Sequence, residues 1–353
     1  MERFTYQALP ARVVFGSGTL AELPAELDRL GIGRALVLTT PGQRDKGAAI
    51  AASVGPRAAG VLATATMHTP VDVTEAALAR LRELGADGLV AIGGGSTIGL
   101  GKALALRTDL PQVVVPTTYA GSEVTPVLGE TADGVKTPRS DPRILPETVI
   151  YDIELTMSLP PALSATSGLN AIAHAVEALY ARERNPITSL MAERAIGAFA
   201  QALPVIVANP SNREARAGAL EGAWLCGTCL GAVGMALHHK LCHALGGALG
   251  LPHAETHAVI LPHATAYNAP AAPGAMRDIA GALGTADAAG GLWDLAGRIG
   301  APRALSDLGM AEDAIDRVAD LAVANPYWNP RSVERDAVRG LLRRAWAGEP
   351  PQA

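Results

Sequence analysis

The stretch Gly88–Lys102 reads GLVAIGGGSTIGLGK. Its opening GLVAI is an apolar run of strand length, and the residues after Ser96 suit a helix. Gly93, Gly94 and Gly95 join the two, followed by Ser96 and Thr97. Glycines at that junction let backbone N–H groups approach a pyrophosphate closely, at the positive end of the helix dipole. A glycine loop alone is also what a tight βα turn needs. The order strand, loop, helix is what gives it weight. The spacing is not G-x-G-x-x-G, so the ordinary Rossmann fingerprint is absent.

The flanks repeat the pattern. Arg12–Gly16 (RVVFG), Ala35–Thr39 (ALVLT), Gln112–Val115 (QVVV) and Val149–Tyr151 read as strands. Thr19–Leu30 and Val73–Leu84 read as helices, the second with Thr74 as its cap and Glu75 in its first turn. Strands alternating with helices predict a parallel sheet, hence a Rossmann-like α/β domain. After Gln112–Val115 comes PTTYAGSE (116–123), whose Thr117 and Thr118 suit a ribose or phosphate. Two such loops after neighbouring strands place a nucleotide at the carboxyl edge of the sheet. No acid follows ALVLT, where Thr40-Pro41 stand, so NADH and NADPH both remain open as cofactors.

Beyond Asp152 the β-branched runs fade. Ala/Leu-rich segments at 161–182, 187–208, 212–248, 254–267, 273–283, 290–299, 311–323 and 333–347 predict an all-helical second half. Pro160 and Pro161 punctuate the change. The expected domains are 1–156, dinucleotide-binding, and 157–353, helical and catalytic.

Leu237–His263 (LHHKLCHALGGALGLPHAETHAVILPH) holds six of the eight histidines, and His174 lies upstream. His239 and His243 have the i,i+4 spacing that shares a helix face, as do Asn170 and His174. Two helices each offering a polar pair to one space make a site for a metal or a polar substrate. One such histidine on an Ala/Leu helix would more simply be a packed core residue; the set is costly to desolvate without a purpose.

Composition narrows the classes. The net charge of −5 and the lack of a basic run speak against nucleic acid. No apolar run is read as membrane-spanning, and no signal-peptide pattern opens the chain, so a cytoplasmic protein without a membrane partner is expected. The three cysteines, Cys226, Cys229 and Cys242, fit reduced thiols. The CxxC at 226–229 lies in a helical run and reads as buried structural thiols, not a redox or zinc motif.

Together these features resemble the iron-containing alcohol dehydrogenase family, which shares its architecture with dehydroquinate synthase. The resemblance rests on GGGSTIGLGK (93–102), PTTYAGSEVT (116–125), DIELTMSLP (152–160), GLNAIAHAVE (168–177) and HKLCHALGG with LPH (239–253), and covers nearly the whole chain. It implies dinucleotide contacts from Thr39, Gly93, Gly94, Gly95, Ser96, Thr97, Thr117, Thr118, Thr125, Lys136 and Thr156. His68 resembles a position on a cofactor loop. A homodimer is implied by the family alone, with pairing through the N-terminal strand.

Three departures stand out. Gly99 replaces the aspartate of GGGSxxDxAK, the threonine loop is one residue short, and Asn170 replaces the acid of an Asp-His-His-His metal set whose histidines match His174, His239 and His253. An amide offers a cation a dipole where a carboxylate offers a full charge. No tightly bound metal is therefore expected; a cation, if held, would sit on those three histidines. The changes resemble a branch of the family that reduces a C=C conjugated with a ketone in a dicarboxylate. Hydride addition there yields an enolate, which hydrogen-bond donors stabilise, and a histidine protonates the adjacent carbon. His243 and His253 are the expected donors, with Asn170, His174, His239, Tyr119, Ser122 and Lys240 in the substrate pocket. Glu177, one turn past His174, is placed to orient an imidazole. The alternatives are a metal-dependent alcohol or glycerol dehydrogenase, a lyase like dehydroquinate synthase that recycles bound NAD, and a non-enzymatic nucleotide sensor.

Overall fold

A computed structural model describes residues 4–9, 11–132 and 135–353, with the side chains of residues 135–136 outside that description. The chain forms two compact units. One comprises residues 9–159, and the other groups residues 4–8 with 160–353. The sequence placed the division slightly earlier, at 156/157, and assigned the first residues to the α/β unit.

In the α/β unit, strands β1 (Arg12–Gly16), β2 (Ala35–Thr39), β3 (Ala58–Ala63), β4 (Gly88–Gly93), β5 (Gln112–Pro116) and β8 (Thr148–Asp152) form a parallel sheet in the order β1-β8-β5-β4-β2-β3. β6 (Val127–Ala132) and β7 (Val135–Ser140) form a separate antiparallel hairpin. Every residue of β2, β4, β5 and β8 is buried, which is why those strands are continuous apolar runs. Side chains alternate between two cores. Leu36, Leu38, Leu89, Ala91 and Val114 pack with α3 (Val71–Glu83) and α4 (Gly95–Thr108). Val37, Val90, Ile92, Val113 and Val115 pack with α1 (Leu23–Leu30) and α2 (Arg44–Val54).

Two local expectations change. The segment from Thr19 opens as a 3-10 turn before α1. Thr74 does not cap α3: that helix begins after Pro70, Asp72 lies in its first turn, and the Thr74 hydroxyl donates back to the Pro70 carbonyl at 3.2 Å.

After the short α5 (Ile153–Thr156), the second unit is helical among its described residues: α6 (Pro161–Tyr180), α7 (Pro186–Ala208), α8 (Arg213–Ala232), α9 (Leu237–Leu249), α10 (His253–Asn268), α11 (Pro273–Leu283), α12 (Ala288–Arg298), α13 (Ala314–Ala324) and α14 (Arg335–Ala347). Arg216 is fully buried, its guanidinium donating to Ser164 Oγ on α6 at 2.8 Å and to the Pro210 carbonyl at 3.0 Å. Leu237, Leu241 and Leu245 of α9 share a core with Val259 and Ile260 of α10 and Val318 and Leu342 beyond. Each such leucine contributes about 1.5–3 kcal/mol by leaving water.

The segment 212–248, read as one run, is broken: α8 and α9 meet at 95°. α7, contrary to the reading above, is long and apolar enough to cross a membrane, with a mean hydropathy of 1.4. It packs instead against α6, α8 and α11.

Candidate active site

In the α/β unit, Gly94 caps α4 with no side-chain bond, leaving the first-turn amides free of a capping side chain. The three loop glycines differ in cause. At Gly93, with φ at +150°, a Cβ would meet Thr97 Oγ1 at 2.5 Å. At Gly94 it would meet Thr118 at 2.9 Å. At Gly95 it would meet nothing within 4 Å, so packing does not require that glycine. The Thr117 N–H donates to the Gly93 carbonyl at 3.0 Å, joining the two loops.

The expected threonine contacts divide into two groups. The hydroxyls of Thr39, Thr97 and Thr117 are buried and unpartnered. Thr156 donates its hydroxyl to the Ile153 carbonyl at 2.8 Å, and Thr125 to the Ser122 carbonyl at 3.0 Å. Thr125 also accepts from Lys102 at 2.9 Å. Lys102, which the sequence reading passed over, is fully buried and holds the threonine loop, donating to the Ser122 and Val127 carbonyls as well. Burial pushes its amine down to about 7 and pushes the neighbouring Glu123 carboxyl up to about 7. Glu123 accepts from the Tyr151 hydroxyl at 2.9 Å. Ser96 and Thr118 are half-buried. Tyr119, fully buried, and Ser122 lie on the threonine loop of this unit. Lys136 lies on β7, and its side chain is outside the described ones.

The departure at Gly99 has a steric reason. A Cβ there would come within 2.3 Å of Thr69 Oγ1. His68 and Thr69 are consecutive non-glycine residues with positive φ, 65° and 47°, and Thr131 holds both of their carbonyls.

In the helical unit, α6 presents Asn170, His174 and Glu177 along one face, all at most 6% exposed. The His174 and His239 rings stack at 5.0 Å, so the two i,i+4 pairs share one space. Glu177 explains the break between α8 and α9. Its carboxylate accepts the Ala236 and His238 backbone N–H groups, each at 2.7 Å, and so caps α9 from another helix. It also accepts from His239 Nδ1 at 2.7 Å. Burial pushes the Glu177 carboxyl up, and these donors draw it back toward the charged form.

The tautomers follow. With Nδ1–H given to Glu177, His239 turns Nε2 as a lone pair into the cluster, where it is buried and unpartnered. His238 Nε2 donates to the His257 carbonyl at 3.1 Å, and its Nδ1 lies 3.3 Å from His239 Nδ1. Both His238 nitrogens are thus engaged, and its role is to hold the neighbouring rings. His257, counted in the histidine cluster but given no role by the sequence, stands in the middle: its ring is 4.2 Å from His253, 5.1 Å from His239 and 4.9 Å from His238. Burial, then neighbouring imidazoles, lowers His174, His239 and His257 well below the usual histidine range and brings His238 to about 3.

The two expected donors are the exposed members. His253 opens α10 beside His257, and His243 Nδ1 lies 2.9 Å from the Tyr327 hydroxyl. The half-buried Lys240 sets its ammonium 5.7 Å above the same Tyr327 ring. His263 is not brought into the cluster; it packs edge-on against Trp293, and burial takes it to about 4. Cys226, Cys229 and Cys242 are buried free thiols, all pushed up by burial, Cys229 to about 12.

Asn170 Oδ1, His174 Nδ1 and His239 Nε2 are buried polar atoms without partners. Neutral imidazoles and an amide oxygen are chemically suited to a divalent transition metal. The expectation that a metal is dispensable therefore finds no support in this donor set.

Fold and site define a class. The chain matches the iron-containing alcohol dehydrogenase model over residues 10–153 and the C-terminal model of the Fe-containing alcohol dehydrogenase family over residues 164–346. It belongs to the iron-containing alcohol dehydrogenase family. Within it, the chain is 57% identical to a maleylacetate reductase of Rhizobium sp. strain MTP-10005 over 352 residues, 100% of each chain. The crystal structure of maleylacetate reductase from Agrobacterium tumefaciens superposes with a TM-score of 0.97 at 58% identity, over 99% of this chain and 100% of that one. A sulfoacetaldehyde reductase from Bifidobacterium kashiwanohense, solved in complex with NAD+, is 26% identical with a TM-score of 0.90, over 98% of this chain and 99% of that one.

Proposed function

We propose that this chain is an oxidoreductase that reduces the conjugated C=C of maleylacetate, giving 3-oxoadipate, with NADH or NADPH as hydride donor. The observation that carries the reading is full-length identity of 57% to a maleylacetate reductase. The dinucleotide is assigned to the glycine and threonine loops of the α/β unit, where the Gly95 position is open and α4 offers its N-terminus to a phosphate. The dicarboxylate is assigned to the histidine cluster of the helical unit.

The chemistry balances simply. Hydride from the dihydronicotinamide adds to the alkene carbon β to the ketone. The π pair moves to form an enolate, with charge on the ketone oxygen. A proton then joins the adjacent carbon, and the cofactor leaves oxidised. His243 and His253 are assigned as donors because they are the cluster's exposed members and able to take protons from water. Lys240 is assigned to a substrate carboxylate. Should a divalent cation bind, His174, His239 and His253 with the Asn170 carbonyl would hold it, and it would polarise the ketone as a Lewis acid. We carry the reading to a cytoplasmic homodimer, with β1, an edge of the sheet, as the pairing strand.

A metal-dependent alcohol dehydrogenase is the second reading, favoured by the unpartnered Asn170, His174 and His239 atoms. The deciding experiment follows NADH oxidation with maleylacetate, using chelator-treated protein of measured metal content. Turnover without metal supports donor chemistry. Turnover restored only by zinc or iron assigns the ketone to a cation, and oxidation of alcohols without reduction of maleylacetate selects the second reading. If His243→Ala and His253→Ala both kept normal turnover, the assigned proton donors would be wrong.

A further inference from the structure

His257 is buried to 1% exposure, and among the described residues it is the one histidine whose two ring nitrogens are both buried and without a partner. A neutral imidazole carries one donor and one acceptor, and leaving both unmet in the interior is destabilising. The rings around it do not meet that need. His238 is committed to the His257 carbonyl and to His239; His239 gives only its Nδ1–H to Glu177, and its Nε2, like the His257 nitrogens, has no hydrogen-bond partner. The fold thus holds an unsatisfied donor at a fixed place, which is how a group that serves a bound molecule differs from one that serves packing.

We propose that His257 is a further catalytic residue: its N–H donates to the ketone oxygen of the unsaturated keto acid and stabilises that oxygen as it becomes the enolate. This rests on the reading of the previous subsection. Depth decides which substrate group it meets. A buried neutral ring cannot offset a full carboxylate charge, whereas the ketone lies between the two carboxylates and is uncharged until hydride arrives. A donor aimed at charge that develops only during reaction accelerates the step without tightening ground-state binding. His257 does not supply the proton, so hydride addition, enolate formation and carbon protonation by His243 or His253 keep the balance given above.

The test compares wild type, His257→Leu and His257→Gln as full-length, chelator-treated protein, reading thermal unfolding, NADH affinity and turnover of maleylacetate. Expected for His257→Leu are an unchanged or raised melting temperature, unchanged NADH affinity, and a kcat lowered about 100-fold with a smaller change in KM. The Gln variant, which keeps an N–H donor, recovers part of that loss. Normal turnover by His257→Leu would overturn the assignment while leaving the function intact. So would a parallel fall in melting temperature and turnover without rescue by Gln, which marks a packing role. A loss confined to metal-loaded protein would make His257 a cation ligand and also overturn it. Failure of wild type to reduce maleylacetate would sink both the inference and the reading beneath it.

Discussion

Asn170 differs from an aspartate by one charge, and that charge sets what its neighbours can hold. Its Oδ1 is buried and unpartnered one turn before His174 on α6, and the His174 ring stacks on His239. A carboxylate there would add a full negative charge to neutral imidazoles in a weakly screened interior. Asn170→Asp is therefore expected to raise zinc or ferrous-iron affinity by at least ~10-fold, read by competition against a chromophoric chelator. Unchanged affinity would show that Asn170 does not face the histidine donors. The pairing of His174 with His239 was legible because two i,i+4 spacings placed polar groups on helix faces. His257 has the same spacing from His253 and belongs to the same histidine-rich stretch, but the family resemblance extends only to LPH and gives it no role. Tyr327 gave no signal, since 84 residues separate it from His243. His263 was counted with the cluster because proximity in sequence does not show which face of α10 a side chain takes.

At the scale of the element, α4 and α9 begin in different ways. α9 is capped by the distant Glu177, while α4 opens on glycine with no capping side chain. If the α4 terminus serves a phosphate, its glycines separate by cause. Gly95→Ala is expected to leave the melting temperature within a few degrees and to weaken NADH binding about 10-fold or more, because the added methyl meets only the space assigned to ligand. Gly93→Ala is expected to cost about 1–3 kcal/mol of stability through its positive φ and the contact with Thr97. Calorimetry and NADH titration of both variants check the pair, and equal destabilisation would undo the distinction. The strands β2, β4 and β5 were legible because burial on both faces forces unbroken apolar runs. β3 was not, because AAGVLA carries a single β-branched residue, and the β6–β7 hairpin contains Gly129 and Pro138. The break between α8 and α9 was hidden because its cause, Glu177, sits on α6.

For the whole molecule, concentrating buried imidazoles makes stability depend on acidity. His174, His238, His239, His257 and His263 all titrate below the usual 6.5 when folded, chiefly through burial. Below pH 6.5 the unfolded chain binds protons that the folded one refuses, so stability falls as pH falls. The loss continues until the folded values are reached, about 3 for His238 and about 4 for His263. Each such ring costs about 1.4 kcal/mol per pH unit once its unfolded form is protonated. Glu123, raised to about 7, and Glu147, Glu177 and Glu193, also raised, act in the opposite direction, since the folded chain takes up their protons first. Lys102 does not enter this window, because below its folded value of about 7 both states hold the proton. Five imidazoles oppose four carboxylates, and the imidazoles lie deeper than Glu147 and Glu193, so the net effect is a loss of stability as pH falls below 6.5. The melting temperature of chelator-treated protein is therefore expected to fall by a few degrees between about pH 6.5 and pH 5. A flat profile over that interval would mean that water reaches these rings in the folded state. The neutral donors assigned to the reaction would then lose the dry surroundings that keep them neutral.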